Sequence, residues 1–312
     1  MLLSLVIFIL ALTGLLFSAK FFTSAAEKIG AWFKLPPFVI GIFIVGIGTS
    51  LPELISGILA VREGVSEIVP GNIIGANISN ILLVTGFAVA INRKTIQLSS
   101  TYIYVDLHFL IGSFMFFCMI AYDGIITFTE SFIGVFIFIA HSIYLIKGES
   151  TPIIDSTKLS PNKPIFPGLP FIILFVSSIG IFFSAEFTIS SITDIAVWFN
   201  VPKSIIALTV LSLGTTLPEL AVNVVAIRKG NAEMAIGNVL GSSIFNTLMI
   251  PAIGSAISPI VVSTDLLSFS LPVMAACGLL FYLLTHDKKI SPYEGVLLVL
   301  LYLAFMMKIA VI

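Results

Sequence analysis

Charge is what this sequence has least of. Only 10% of its 312 residues are Asp, Glu, Lys or Arg, against about 25% in soluble globular chains, so a water-facing surface cannot be assembled from it. With 58% hydrophobic residues and a mean hydropathy of +1.15, the chain reads as an all-α integral membrane protein whose first partner is the lipid bilayer. Cysteine is nearly absent. Cys118 and Cys277 lie in separate apolar stretches, which excludes a disulfide framework and leaves two core or lipid-facing side chains. There are three histidines and no His/Cys cluster of the kind a hydrolytic metal needs. Asp106 and His108 are two residues apart and point apart on a helix, and His141 reads as solitary, so the chain is not read as an enzyme. A net charge of -1 without basic or acidic tracts argues against nucleic acid as a partner.

What the sequence does contain is a phrase used twice. G-T-S-L-P-E-L at Gly48 to Leu54 returns as G-T-T-L-P-E-L at Gly214 to Leu220. The offset of 166 residues holds without a gap on either side, pairing Phe17-Ser18-Ala19 with Phe183-Ser184-Ala185, Trp32 with Trp198, Pro36 with Pro202 and Arg62 with Arg228. A second phrase follows in register, G-N-I-I-G-A-N-I-S-N at Gly71 to Asn80 and G-N-V-L-G-S-S-I-F-N at Gly237 to Asn246. The chain is a duplicated unit, and the repeat constrains the fold before any local signal does.

A helix needs about 20 apolar residues to cross the hydrocarbon core. Ten stretches qualify, near 2–19, 36–61, 70–91, 101–122, 125–146, 169–189, 203–227, 235–260, 266–285 and 293–311. The first could pass for a secretory signal. It has no basic leader, though, and its F-S-A is repeated at Phe183, so it is read as helix one. The expected organisation is an N-terminal five-helix repeat (1–146), a Pro- and Lys-containing cytoplasmic linker (147–168) and a C-terminal five-helix repeat (169–312). Five crossings are an odd number, so the second repeat is inverted relative to the first, as in many secondary transporters. Basic residues concentrate in cytoplasmic loops. An extracellular N-terminus puts eleven of them inside (Lys28, Lys34, Arg93, Lys94, Lys147, Lys158, Lys163, Arg228, Lys229, Lys288, Lys289) and leaves Arg62, Lys203 and Lys308 outside. Both termini are therefore expected outside the cell membrane.

Each copy of the first phrase puts a carboxylate, Glu53 or Glu219, where lipid should be. An ionised group there costs several kcal/mol, so it marks a functional site unless a base pairs with it. The nearest bases, Arg62, Lys203 and Arg228, fall at membrane edges. Thr49 and Thr215 lie one turn before the glutamates, on the same helix face. Pro52 and Pro218 lack an N–H and clash with the carbonyls of Gly48 and Gly214, so helices 2 and 7 are expected to be broken beside the carboxylates. Hydroxyls, freed carbonyls and carboxylates are the oxygen ligands that hard cations such as Ca2+ take. Asn80 and Asn246, one turn after Ala76 and Ser242, read either as further ligands or as interhelical hydrogen-bond glue. The glycines of the second phrase read as close-packing positions. Two carboxylates about 6 Å apart repel by roughly 3 kcal/mol at an effective dielectric near 20, so the empty site favours taking up a proton or a cation. Competition for one site is the minimal basis of antiport.

These doubled motifs resemble the paired alpha-repeats of the calcium/cation antiporter superfamily, which includes the sodium/calcium exchangers. The resemblance covers both halves, and it is greatest to the short prokaryotic exchangers. It implies a Ca2+ site at Glu53 and Glu219, with oxygen from Thr49 and Thr215 and with Ser50 and Thr216 beside them. It further implies Na+ sites using the carbonyls of Gly46 and Ser212 and the positions of Ala76, Asn80, Ser242 and Asn246. The transported ions would be Ca2+ and Na+, with no bound cofactor, and helices one and six would slide over a fixed core. Ala76 lacks the hydroxyl of Ser242, and some relatives of this type carry Asp where Asn246 stands. Two carboxylates balance one Ca2+ or two Na+. Proton/calcium exchange at the same site is the alternative, and a cation channel a more distant one. Lys20 and Glu186, 166 residues apart and opposite in charge, either meet across the pseudo-two-fold or reach separate interfaces.

Overall fold

The computed structural model describes residues 2–92, 94–98, 103–147, 168–198 and 203–309. Most of the expected linker lies outside the described residues. The rest is helical: α1 (Leu2–Trp32), α2 (Pro37–Arg62), α3 (Ile68–Asn92), α4 (Ile103–Ala121), α5 (Phe128–Lys147), α6 (Gly168–Trp198), α7 (Lys203–Arg228), α8 (Ala232–Ser255), α9 (Leu266–Thr285) and α10 (Pro292–Ile309). The protein is an all-α membrane protein. Eight of these helices, all but α4 and α7, are long and apolar enough over their described residues to cross a membrane, and the apolar part of α4, Val105–Ala121, is shorter.

α1 and α6 are repeat partners of 31 residues each. At 1.5 Å per residue such a helix is about 46 Å long, well beyond the ~30 Å hydrocarbon core, so both must tilt or reach into the headgroups. They pack on each other through small residues. A methyl added at Gly14 would meet Ser184 Oγ at 2.9 Å, and one at Gly180 would meet Ser18 Oγ at 2.6 Å. Because 14 pairs with 184 while 18 pairs with 180, the helices run antiparallel. That register sets Lys20 and Glu186 about 12 Å apart along the helix axes. Both side chains are exposed, and among the described residues no ion pair joins them.

Two short ladders tie distant connections together. β1 (Ile96–Gln97), between α3 and α4, pairs antiparallel with β4 (Lys289–Ile290), between α9 and α10. β2 (Ile125–Ile126), between α4 and α5, pairs antiparallel with β3 (Ile260–Val261), between α8 and α9. Each ladder requires the two connections it joins to emerge at the same end of the helices.

α8 is the centre of the molecule, with nearly every residue from Met234 to Ser255 buried. Its sequence explains why. Gly237, Gly241, Ser242 and Ser243 give it a smooth face, and α2 lies directly on that face with glycines of its own. A methyl at Gly46 would come within 2.9 Å of Ser242 N, and one at Gly241 within 2.6 Å of Ile42 Cα. Backbone thus touches backbone.

α2 is not a simple helix. It begins with one α-helical turn, passes through a π-helical stretch at Gly41–Gly46 and resumes at Ile47–Thr49. It breaks at Ser50 (φ -86, ψ 0) before the final run Leu51–Arg62. The expected break in helix 7 is not there, because α7 stays helical from Lys203 to Arg228 with Pro218 inside it. Proline removes one hydrogen bond from a long ladder. The difference follows from the preceding residues, since α2 has glycine at 41 and 46 where α7 has Ala207 and Ser212, both better helix formers. α3 also carries a π stretch, Asn80–Thr85, in which the Thr85 hydroxyl donates to the Asn80 carbonyl at 3.0 Å.

Two polar contacts escape the sequence reading. His141 is not solitary: it forms a buried hydrogen bond with Asp106 across α5 and α4, a pairing between helices that spacing within one helix cannot reveal. At the end of α1, Lys229 Nζ donates to Thr23 Oγ1 (2.8 Å) and Ser24 Oγ (2.7 Å) and lies 3.7 Å from Glu27 Oε2. Asn231 Nδ2 adds a bond to Glu27 Oε1 at 2.6 Å. Partial burial pulls the Lys229 ammonium below the usual lysine value, and the neighbouring Glu27 charge opposes that shift.

Replacing Gly241 by valine should force α2 off α8. The expected cost is about 1–3 kcal/mol or more, as in overpacked cores, read as a lowered thermal midpoint of the purified protein. An unchanged midpoint would contradict the backbone contact.

Candidate cation site

Ser50 sets the position of Glu53. The break in α2 there starts a new helical run, with Pro52 in its first turn and Glu53 beside the helix N-terminus, where the aligned peptide dipoles favour negative charge. Glu219 comes from the continuous α7. Both glutamates are 1% exposed, and the prolines that immediately precede them meet at one cavity. Pro52 and Pro218 line the same small cavity, of about 20 Å3, with Phe22 of α1 and Ser178 and Phe182 of α6. That is room for about one water.

Buried polar atoms of the two repeated phrases lack partners. Glu53 Oε2, both Glu219 oxygens, Ser50 Oγ, Asn80 Oδ1 and both amide atoms of Asn246 have no hydrogen bond. The interhelical-glue reading of Asn80 and Asn246 therefore fails for Asn246, whose side chain bonds to nothing, and for the Asn80 oxygen. Each orphaned group costs about 1–3 kcal/mol. No salt bridge to a base reaches either glutamate among the described residues, and there is no cluster of three or more His, Cys, Asp or Glu. Carboxylate, hydroxyl and amide oxygens of this kind are the ligands that hard cations take.

A second group of oxygens is closed. Thr49 Oγ1 lies 3.3 Å from Gly46 O, 3.3 Å from Ser242 Oγ and 3.1 Å from Asn238 Oδ1. Ser242 Oγ donates to Gly46 O at 3.1 Å. Thus Gly46, Thr49 and Ser242, expected as ligands on separate grounds, are brought together. Gly46 is the last residue of the first π stretch and Asn80 the first of the second, and π-helical turns often occur at functional sites. Thr216 is buried on α7, and Ala76 is buried on α3 without a polar group to offer. The side chains of Ser212 and Thr215 lie outside the described residues.

Sequence reasoning missed Asn238 and Asn223. Both are fully buried, and Asn238 Nδ2 donates to Asn223 Oδ1 at 2.6 Å. The available signal was the second phrase itself, in which asparagine follows the first glycine in each copy, at Asn72 and Asn238. The first copy puts it to other use, since Asn72 donates to Ser56 Oγ at 3.3 Å on the exposed side.

Comparison with known proteins gives this geometry a family. The sequence profile of the sodium/calcium exchanger protein family matches residues 3–147 and 169–310. The chain belongs to the sodium/calcium exchanger family. This family member is 30% identical over 341 residues to the sodium/calcium exchanger MaX1 of Methanosarcina acetivorans, covering 96% of this chain and 97% of the relative. It is 28% identical over 304 residues to the inner membrane protein YrbG of Escherichia coli, covering 95% and 93%. Its structure is similar to that of the sodium-calcium exchanger NCX_Mj soaked with 2.5 mM Na+ and 1 mM Sr2+, with a TM-score of 0.81, 27% identity and 98% of each chain covered.

Replacing Asn246 by leucine should remove two buried unpaired atoms. In ion-free buffer the variant is expected to unfold at a higher temperature than the unaltered protein, by up to a few kcal/mol of stability. The rise in midpoint on adding NaCl should shrink or vanish. A variant less stable without ions and equally stabilised by sodium would show that the amide serves packing alone.

Proposed function

We propose that this protein is an antiporter that moves Ca2+ across the cell membrane in exchange for Na+, with Glu53 and Glu219 at one alternately exposed central site. The observation that carries this reading is the pair of buried carboxylates, one from each repeat, with unpaired oxygens and no neighbouring base. Membership of the exchanger family and the similarity to NCX_Mj support a cation/Ca2+ antiporter. Glu53 and Glu219 hold Ca2+ with Thr49, Thr215, Ser50 and Thr216 around them. Gly46, Ser212, Asn80, Ser242 and Asn246 serve Na+.

The physical logic is charge balance. Ca2+ or two Na+ leave the two-carboxylate site neutral, whereas an empty ionised site keeps two negative charges in low dielectric, at several kcal/mol each. The empty carrier therefore resists reorienting, and transport becomes exchange. A continuous aqueous channel would hydrate these groups. The cavity beside them holds about one water.

The same reading takes the fold as ten membrane spans in two inverted five-helix repeats, with an extracellular N-terminus. The antiparallel contact of α1 with α6 supports it, because repeat partners related by inversion must run oppositely. So do the ladders. If every helix crosses once, β1 and β4 follow three and nine crossings, β2 and β3 four and eight, so each pair shares a membrane side.

In vesicles reconstituted with the purified protein and clamped in pH and voltage, an imposed Na+ gradient should drive uptake of radioactive calcium. Glu53→Gln and Glu219→Gln should each abolish it. Uptake that follows a proton gradient and ignores sodium would replace Na+ by H+ as the counter-ion. Near-normal uptake by either glutamine variant would remove the proposed site.

A further inference from the structure

We infer that Asn238 supplies a fourth oxygen to a sodium subsite formed with Gly46, Thr49 and Ser242, and that Asn223 is the positioning residue that turns that oxygen inward. The inference rests on the exchange reading for the identity of the ion. The proton count of the cluster supports the rest.

Four oxygens meet there: the Gly46 carbonyl, the Thr49 and Ser242 hydroxyls and Asn238 Oδ1. Their separations run from 3.1 Å (Thr49 to Asn238, Ser242 to Gly46) to 3.4 Å (Ser242 to Asn238). The donors aimed at them are the Thr49 and Ser242 hydroxyls and the Ser50 N–H, which donates to the Gly46 carbonyl at 3.1 Å, while each oxygen offers two lone pairs. Thr49 faces three acceptors with a single hydrogen. The hydroxyls can rotate their protons outward, leaving a ring of lone pairs for a cation. Thr49 is the one member that this ring shares with the calcium shell, and the four oxygens carry no charge of their own, which suits a monovalent ion better than Ca2+, whose charge requires the carboxylates.

An amide contributes an oxygen only when it faces the right way. Asn238 Nδ2 donates to Asn223 Oδ1 at 2.6 Å, and that bond leaves Oδ1 facing Thr49 and Ser242. Turned over, the amide would point its two N–H groups into the subsite and set its oxygen against that of Asn223. Both side chains are buried, so water cannot substitute for either partner. Asn223 lies one helical turn beyond Glu219, and Asn238 one turn before Ser242. The pair therefore ties the glutamate helix α7 to the sodium ligands of α8. Gly57 occupies the position of Asn223 in the first repeat, so this arrangement exists once in the molecule.

The test is thermal unfolding of the purified full-length protein in choline chloride, titrated separately with NaCl and CaCl2, since a ligand stabilises according to its concentration over its dissociation constant. Asn238→Leu should raise the NaCl concentration for half the stabilisation about tenfold or more, as expected from losing an oxygen bound to a charge, and leave the calcium titration in place. Asn223→Leu should shift sodium in the same direction. Asn223→Asp, which can only accept from Asn238, should return it to the unaltered value. An unchanged sodium titration in Asn238→Leu, or equal behaviour of the leucine and aspartate variants at 223, overturns the inference. If Asn238→Leu does not fold, the two Asn223 variants decide between these outcomes. Intact sodium stabilisation without calcium flux in vesicles would instead overturn the exchange reading alone.

Discussion

Two carboxylates buried without a basic partner set the terms for everything around them. A buried charge left unpaired costs several kcal/mol, and the protein has to recover that from packing elsewhere. It does so around α8. Glycine and serine on α8 meet glycine on α2, bringing backbones into contact and gathering dispersion energy where side chains would have kept the helices apart. The same contact delivers the Gly46 carbonyl to the Ser242 hydroxyl. Close packing and the meeting of these oxygens are one feature here, which is why a methyl group at these positions threatens both.

The two repeats reach similar ends by different local means. In α2, glycines at 41 and 46 let the chain pass through a π stretch and break at Ser50, so Glu53 begins a fresh helix. In α7, Ala207 and Ser212 keep the helix continuous through Pro218. A duplicated carboxylate therefore experiences two environments, one at a helix terminus and one within a helix. The polar neighbours differ too. Asn238 and Asn223 close a hydrogen-bonded group beside Thr49, while their counterparts are Asn72, which bonds on the exposed side, and Gly57. A site of this kind can treat two bound ions unequally even though its sequence is a repeat.

Much of this was legible in the chain itself. The repeat offset, the apolar runs and the intramembrane glutamates are signals that nothing local can mimic, and the membrane fold and the exchanger family followed from them. Three things were not legible, each for a physical reason. The proline signal is identical in the two copies, so the intact α7 depended on residues several positions upstream that decide whether one lost hydrogen bond becomes a break. The Asp106–His141 pair joins two helices, and single-helix spacing correctly separated Asp106 from His108 without finding the true partner. Asn238 sat in plain view within the second motif, but an amide beside a glycine looks like packing until its partner on another helix is known.

The two-residue ladders have a mechanical meaning. β1 with β4 and β2 with β3 fasten the connections of α3, α4, α5, α8, α9 and α10 to one another at two places, so shear among those helices would have to break sheet hydrogen bonds. α1 and α6 carry no such stitch among the described residues. They are the long members of the set, they touch each other through glycine and serine, and those smooth surfaces resist sliding least. Besides its packing, α1 is held by polar contacts from the α7–α8 connection, where Lys229 grips Thr23, Ser24 and Glu27 and Asn231 donates to Glu27. Among the described residues, six helices are thus stitched to one another through their connections, while the α1–α6 pair is held by side-chain packing and this one polar grip.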